Sequence, residues 1–309
     1  MTKKIFLLAA LLIVIFPATT SYAQSQTREI NISPFLQELE VAKGGQTKSE
    51  IAVTNNSDQS LAVSISMKDF LPGDRGEPLF VPDPEFNEVT FSLASWIAID
   101  GGNQITLQPK ETKKITYTVS PPQNSEQGTH YGAILFSYNG DQQLSGVGIT
   151  QSVGAIVLVS YGEARSQGDV NFNVDHKLEF FSNKFSFTNL FSNTGNVHVK
   201  PKGEIQLKNI FGKVVGTTFV NRDGDNVLPK SDRTFISEWY PSNLSFGPYR
   251  ASLVLNYGKE KLELRSEQII WIFPIYILLI IVLLLIFILW YSLHGRHWHK
   301  RRIISRLEK

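Results

Sequence analysis

Residues 269–291 (IIWIFPIYILLIIVLLLIFILWY) run for 23 positions without one charged side chain. At ~1.5 Å of rise per residue, a helix of this length covers ~34 Å, enough for a ~30 Å hydrocarbon core. A helix apolar on every face has no polar side to turn to water, so the run reads as a transmembrane helix. Trp271 and Tyr276 stand near one end, Trp290 and Tyr291 near the other, where interfacial aromatics gather. Pro274 falls in the first turns, where a missing amide donor costs least. The tail, 292–309, carries Arg296, Lys300, Arg301, Arg302, Arg306 and Lys309 against a lone Glu308. Positive flanks stay in the cytoplasm. The expected topology is therefore a single pass through the plasma membrane, with everything before 269 extracytoplasmic and the basic tail at the cytoplasmic leaflet.

The other end of the chain supports that orientation. Lys3 and Lys4 precede an unbroken apolar run of 12 residues, Ile5 to Phe16, which is the size of a signal core and short for a span. Pro17 breaks the run, and Ser21-Tyr22-Ala23 is a small-x-small cleavage site, so 1–23 reads as a signal peptide. Removing the two signal lysines and six tail cations leaves 22 Lys and Arg in the ectodomain against 27 Asp and Glu. The part outside is thus acidic, and nucleic acid is not an expected partner. With no cysteine the chain has no disulfides, zinc–thiolate sites or thiol nucleophile.

Between the two greasy ends, the pattern is that of strands. Leu61, Val63, Ile65 and Met67 alternate with Ala62, Ser64, Ser66 and Lys68; Ile115, Tyr117 and Val119 alternate with Thr116, Thr118 and Ser120. Turn clusters such as Asn55-Asn56-Ser57-Asp58 and Asp223-Gly224-Asp225 separate the runs. Three blocks recur in the same order. VTNNSDQSLAV (53–63), LQPKETKKITYTV (107–119) and GTHYGAILFSYNGD (128–141) are followed by FTNLFSNTGNVHV (187–199), VLPKSDRTFISEW (227–239) and GPYRASLVLNYGKE (247–260). Aligning Asn55 with Asn189 leaves ~14 extra residues in the first copy, which fit inside 70–90. Each copy has the size of an immunoglobulin-like domain. The expected fold is all-β: two tandem immunoglobulin-like antiparallel sandwiches, 24–162 (with the insertion at about 70–90) and 163–268, followed by the transmembrane helix. The shared G-x-x-Y-x-A-x-L pattern reads as an inward tyrosine on a central strand. The second copy runs almost directly into the span, so it is the membrane-proximal one.

IAVTNNSDQSLAVSIS, ITLQPKETKKITYTVSPP and GTHYGAILFS resemble the first domain of bacterial WxL-interacting cell-surface proteins. The resemblance implies a signal, an immunoglobulin-like peptidoglycan-binding domain, a second such domain linked to host-factor binding, and a C-terminal span with a basic tail. No W-x-L tripeptide occurs in the chain itself.

Motifs for chemistry are missing: there is no Gly-rich phosphate cradle, G-x-S-x-G, H-E-x-x-H or Walker lysine. His130, His176 and His198 are expected on separate strands. Asn221, Asp223, Asp225 and Asp232 imitate the oxygen spacing of a calcium loop, but position six is Asn and the closing Glu is absent, so the segment also reads as an Asp-Gly turn. No cofactor is expected. The insertion is the one segment the scaffold does not require. It carries Phe70, Phe80 and Phe86 among Asp74, Asp83, Glu85 and Glu88, and aromatics bracketed by acids can stack on sugars or anchor a protein. Phe70, Phe80, Asp83 and Phe86 are therefore the candidate partner-binding residues, and Trp96 is expected in the core. The reading that results is a non-enzymatic, membrane-anchored surface protein holding peptidoglycan or a secreted surface protein. The alternative is a structural or assembly subunit of a bacterial membrane or secretion complex.

Overall fold

The computed structural model describes residues 29–80, 91–139, 150–179, 184–241, 246–273 and 275–307. The signal lies outside them. The first unit is built from eleven strands: β1 (Ile30–Ser33), β2 (Leu36–Val41), β3 (Thr47–Asn55), β4 (Leu61–Lys68), β5 (Phe70–Pro72), β6 (Pro78–Phe80), β7 (Ile97–Ile99), β8 (Gln104–Leu107), β9 (Thr112–Val119), β10 (Gly128–Asn139) and β11 (Thr150–Tyr161). A sheet in the order β1-β3-β9-β7 faces one in the order β2-β11-β10-β4-β8. Period-2 alternation does what the sequence promises. Val63 and Ile65 of β4 meet Ile51 and Val53 of β3, Tyr117 of β9, and Ile134 and Phe136 of β10 in one buried core. Each fully buried aliphatic side chain of this kind contributes about 1.5–3 kcal/mol. Trp96 is part of this core, in a single 3-10 turn, Ala94–Trp96.

The second unit repeats the plan with β12 (Gly168–Val174), β13 (Leu178–Glu179), β14 (Phe185–Asn193), β15 (Lys202–Lys208), β16 (Val214–Val220), β17 (Ser231–Trp239), β18 (Gly247–Tyr257) and β19 (Leu262–Ile272). Its sheets are β12-β14-β17 and β13-β19-β18-β15-β16. Pairing is antiparallel except at one edge of each five-stranded sheet, where β2 runs parallel to β11 and β13 parallel to β19.

The repeat is real but shifted from its reading in the sequence. Asn55 ends β3 fully buried; its Nδ2 donates to the Gln59 and Gln108 carbonyls at 2.7 and 3.0 Å, and its Oδ1 accepts from Ser57 N at 2.9 Å. The residue with that role in the second copy is Asn193, whose Nδ2 donates to Val197 and Val227 carbonyls at 2.8 and 3.0 Å and whose Oδ1 accepts from Gly195 N at 3.0 Å. The T-N dipeptide aligns Asn55 with Asn189, whereas the clamp of the second copy stands four residues on, at Asn193. The inward tyrosine also holds for only one copy. Tyr249 points into the second core, but Tyr131 lies on the outer face of its sheet. Gly128 and Gly247 both open their strands with positive φ, opposite core residues Tyr161 and Ile272. The tyrosine follows by three residues in one and two in the other, and one step along a strand changes its face.

The expected span also needs correction at its start. Residues 269–272 belong to β19, paired to Gly247–Arg250 of β18. The helix α1 occupies Ile275–Leu307, running on through most of the basic tail. The stretch Tyr276–Leu293 is long and apolar enough to cross a membrane.

Candidate binding surface

The outer face of the first unit's five-stranded sheet divides into a covered half and an open half. The covered half carries Tyr131, Ala133 and Leu158, over which the β5–β6 hairpin folds. Phe70 pairs across the hairpin with Phe80 at 6.1 Å between ring centroids and packs on Tyr131 at 5.2 Å, and Phe91 is stacked with Tyr131 at 6.3 Å. The buried Asp69 carboxylate pins the return of the insertion. It accepts from Ser92 Oγ at 2.5 Å and from the Leu93 and Ala94 amides at 2.8 Å each. Burial, and then the Asp69 charge, push the Tyr131 phenol up to about 12. Leu228 of the second unit completes the same cluster. Thr234 N donates to Asp74 O at 3.0 Å, and Gly76, with φ of 83°, lies so close to Arg233 that a Cβ there would sit 2.4 Å from the guanidinium. The first half of the insertion is thus a brace between the two units.

This changes how the sequence-derived candidates stand. Phe70, expected on the surface, is 3% exposed because Tyr131 needs a cover. Phe80, on the same face of the hairpin as Phe70, is 47% exposed at its edge, and Leu71 and Leu79 make the outer side. Asp83 and Phe86 lie outside the described residues.

Beyond the hairpin, the open half holds a groove of 570 Å³ lined by Ala62, Ser64, Gln104, Thr106, Ser137 and Thr150 among others. Ser64 Oγ donates to Ser137 O at 3.3 Å, Ser137 and Ser152 share a hydroxyl contact at 2.7 Å, and Tyr138 OH donates to Gln151 Oε1 at 2.7 Å. Among the described residues, no ionised side chain lines this groove. Its signal in the sequence is the run of small residues at the outward positions of β4.

A second concavity, of 710 Å³, lies between the units and is charged. Glu38 of β2 bonds Lys200 at 2.8 Å and Asn226 at 2.8 Å, and Glu40 bonds Lys259. Burial alone would push the Glu38 carboxyl up; Lys200, Asn226 and His198 together hold it below the ordinary carboxylate value. Burial pushes His198 down, which Glu38 opposes in part. His198 Nδ1 lies 2.9 Å from Thr129 Oγ1, with Glu38 3.9 Å from its other nitrogen. A hydroxyl, an imidazole and a carboxylate in line suggest a nucleophile, but Thr129 is fully buried and its Oγ1 already accepts from the His198 amide at 3.1 Å. No substrate carbonyl can reach it, so the row joins the units. Of the three histidines expected on strands, only His130 is on one; His198 sits in the connection between β14 and β15.

The calcium-like segment is a self-satisfied turn. Asn221 Nδ2 donates to Pro201 O and Asp225 O at 2.8 and 2.9 Å, and Asp225 is paired with Arg233 at 2.6 Å. No group of three or more metal-ligating side chains occurs among the described residues.

Comparison with known proteins adds one family. Residues 19–138 match the model of the WxL Interacting Protein, peptidoglycan binding domain. No curated protein matches. Among solved structures, the class 5 fimbriae chaperone CfaA is similar at 15% identity and a TM-score of 0.40, over 78% of this chain and 98% of that one. The YadV chaperone stands at 9% and 0.40, over 78% and 100%, and the E. coli chaperone DraB at 10% and 0.35, over 77% and 95%. The first sandwich, with its groove and most of its brace, is therefore the part of this chain that carries the resemblance to WxL-interacting proteins.

Proposed function

We propose that this chain is a non-enzymatic, membrane-anchored surface protein that holds the glycan of peptidoglycan on the first sandwich, with α1 as the anchor and the basic end of the helix inside the cell. The observation that carries the reading is the neutral groove on the open half of the sheet. Every residue named in it except Thr150 falls within the segment matching the peptidoglycan-binding family. Hydroxyl and amide side chains both donate and accept, as sugar hydroxyls do, so Ser64, Gln104, Thr106 and Ser137 suit a polyhydroxylated chain lying along the sheet. A groove without charge does not rely on phosphate or carboxylate contacts, and binding there needs no metal or cofactor.

The test is sedimentation of the full-length protein, in mild detergent, with purified sacculi. The expected result is retention that survives molar salt, because exposed charge pairs are screened and these contacts are not charge pairs. Thr106→Trp, which fills the groove from the edge strand β8, should abolish retention, whereas Phe80→Ser on the hairpin should not. Loss of the wild-type complex in high salt, or indifference to Thr106→Trp, would remove the groove as the site. Absence of any retention, with capture of a secreted protein instead, would turn the reading toward a protein partner.

A further inference from the structure

One end of the second sandwich is built differently from the rest of its surface. It is the end from which the helix departs, and the following rests on the reading of α1 as an anchor. β19 ends at Ile272 and α1 begins at Ile275. Three residues of chain reach at most ~11 Å, so the end of the sheet lies within the depth of the interfacial layer. Four pieces of chain meet there. Trp271 is exposed on the outer face of β19, stacked with Phe273 at 6.2 Å between centroids. Phe246, exposed just before β18, meets Phe273 edge-on at 5.1 Å.

The β15–β16 hairpin supplies the rest. Lys208 is level with Arg250 and Ile269, so the hairpin tip runs on toward the helix end of the sheet, two strands (~10 Å) from the strand that becomes the helix. The tip is Asn209-Ile210-Phe211-Gly212. Asn209 Oδ1 accepts from the Phe211 and Lys213 amides at 3.0 Å each, and Gly212 takes the positive φ of 76° that closes the turn. That held turn presents Ile210, 63% exposed, and Phe211, 86% exposed. An ordered loop that offers an isoleucine and a phenylalanine to water is at odds with solubility, unless the surroundings are not water.

The charges agree. Lys208, Ile210, Arg250 and Ile269 line a 350 Å³ recess between the tip and the sheet, cationic at its mouth and apolar in its walls. Lys208 and Lys213 have no ion-pair partner among the described residues, and Arg250 meets Glu267 only at 3.6 Å. Apolar tips ringed by Lys and Arg are the chemistry of an interfacial membrane contact, and phospholipid phosphates are the anions at that depth.

We propose that the helix end of the second sandwich is seated in the outer interfacial layer of the bilayer, with Ile210, Phe211, Phe246 and Trp271 among the lipids and Lys208, Lys213 and Arg250 on their phosphates. The anchor then fixes the tilt of the ectodomain instead of letting it swing on a tether.

The cysteine-free chain makes a direct test available. Full-length protein in nanodiscs of phosphatidylcholine and phosphatidylglycerol is labelled with an environment-sensitive fluorophore at one introduced cysteine and read with lipids bearing a quencher below the headgroup. Labels at Lys213→Cys and Phe211→Cys should be quenched and blue-shifted, and one at Glu260→Cys, on the far turn of the same sandwich, should be neither. Ile210→Asp with Phe211→Asp should strip most of the quenching from the Lys213→Cys label. A label at Leu284→Cys, in mid-helix, reports the anchor. If it is quenched while Lys213→Cys reads like Glu260→Cys, the docking is wrong and the tip faces water or a protein. If Leu284→Cys itself is unquenched, the anchor fails and the docking falls with it.

Discussion

The two sandwiches share their strand plan down to a buried asparagine, and they differ in what lies over their outer faces. In the first, the tyrosine comes three positions after the opening glycine of the central strand; in the second, two. That single step puts Tyr131 outside its sheet and Tyr249 inside. An outward tyrosine beside Ala133 and Leu158 is an apolar patch, and the β5–β6 hairpin exists over it, bracing the second unit as it does so. Among the described residues, the second sandwich has no such cover over Arg250 and Ile269, and it is this face that adjoins the helix. The core defines the domain in both copies, whereas the register of one strand decides which outer face is open to a partner.

The sharpest way to break this comparison is to truncate both tyrosines. Tyr249→Ala empties a site in the second core and should cost about 3–5 kcal/mol, as large-to-small changes at buried aromatics do. Tyr131→Ala should cost the first core little and instead release the hairpin. The checks are urea unfolding followed through Trp239, which is buried in the second core, and proteolysis within 70–80. Equal losses of fold stability from the two changes would mean that the outer and inner assignments are wrong.

The asparagine clamps come next. Asn55→Ala and Asn193→Ala each remove a clamp on backbone carbonyls and an amide at the end of a strand, and each should destabilise its own unit by about 2–3 kcal/mol. Trp96 reports the first and Trp239 the second. If one clamp proves dispensable, the two turns are not the same device.

Much of this was legible from alternation alone. The strands around Val63 and Tyr117 follow from their period, and the twofold repeat from its blocks. What escaped was parity. The motif G-x-x-Y against G-x-Y looks like a tolerable gap, and nothing local tells which face a strand turns to its partner sheet. The reading of Phe70 as exposed failed for the same reason, since its cover is needed only if Tyr131 points outward. The end of β19 is hidden because 269–272 are apolar throughout, as a span would be, although only Ile270 and Ile272 face the core while Ile269 and Trp271 are exposed. The hairpin tip at Phe211 is invisible to periodicity, because a lone Ile-Phe between strands has none.

The brace itself should be the more fragile link. Gly76→Ala drives a methyl into Arg233, and the strain at a positive φ adds to it, so about 1–3 kcal/mol should be lost locally. Hydrogen exchange at the Thr234 amide, which bonds Asp74 across the junction, should quicken while the amides that pair β17 with β14 keep their protection. Unchanged exchange at Thr234 would mean that the hairpin merely rests beside the second unit.

The smallest effect concerns the charged contact on the other side of the junction. Glu38 is held below its ordinary value of 4.5 and His198 below 6.5. For both groups the folded value is depressed, so each contributes stability that is present above the unfolded value and is lost as pH falls through the folded one. His198 must therefore be charged first, starting below 6.5, in a buried site where Lys200 and Lys259 oppose it and Glu38 and Glu40 compensate only in part. Glu38 follows below 4.5, releasing Lys200 and Asn226. Thermal unfolding of the junction should hold constant from pH 8 to about 6.5 and decline below it. His198→Gln should remove the first decline and leave the second, while Glu38→Gln should lower the plateau and flatten the acid limb. A wild-type plateau that ran undisturbed down to pH 5 would show that the two sandwiches are joined by the hairpin brace and not by this cluster.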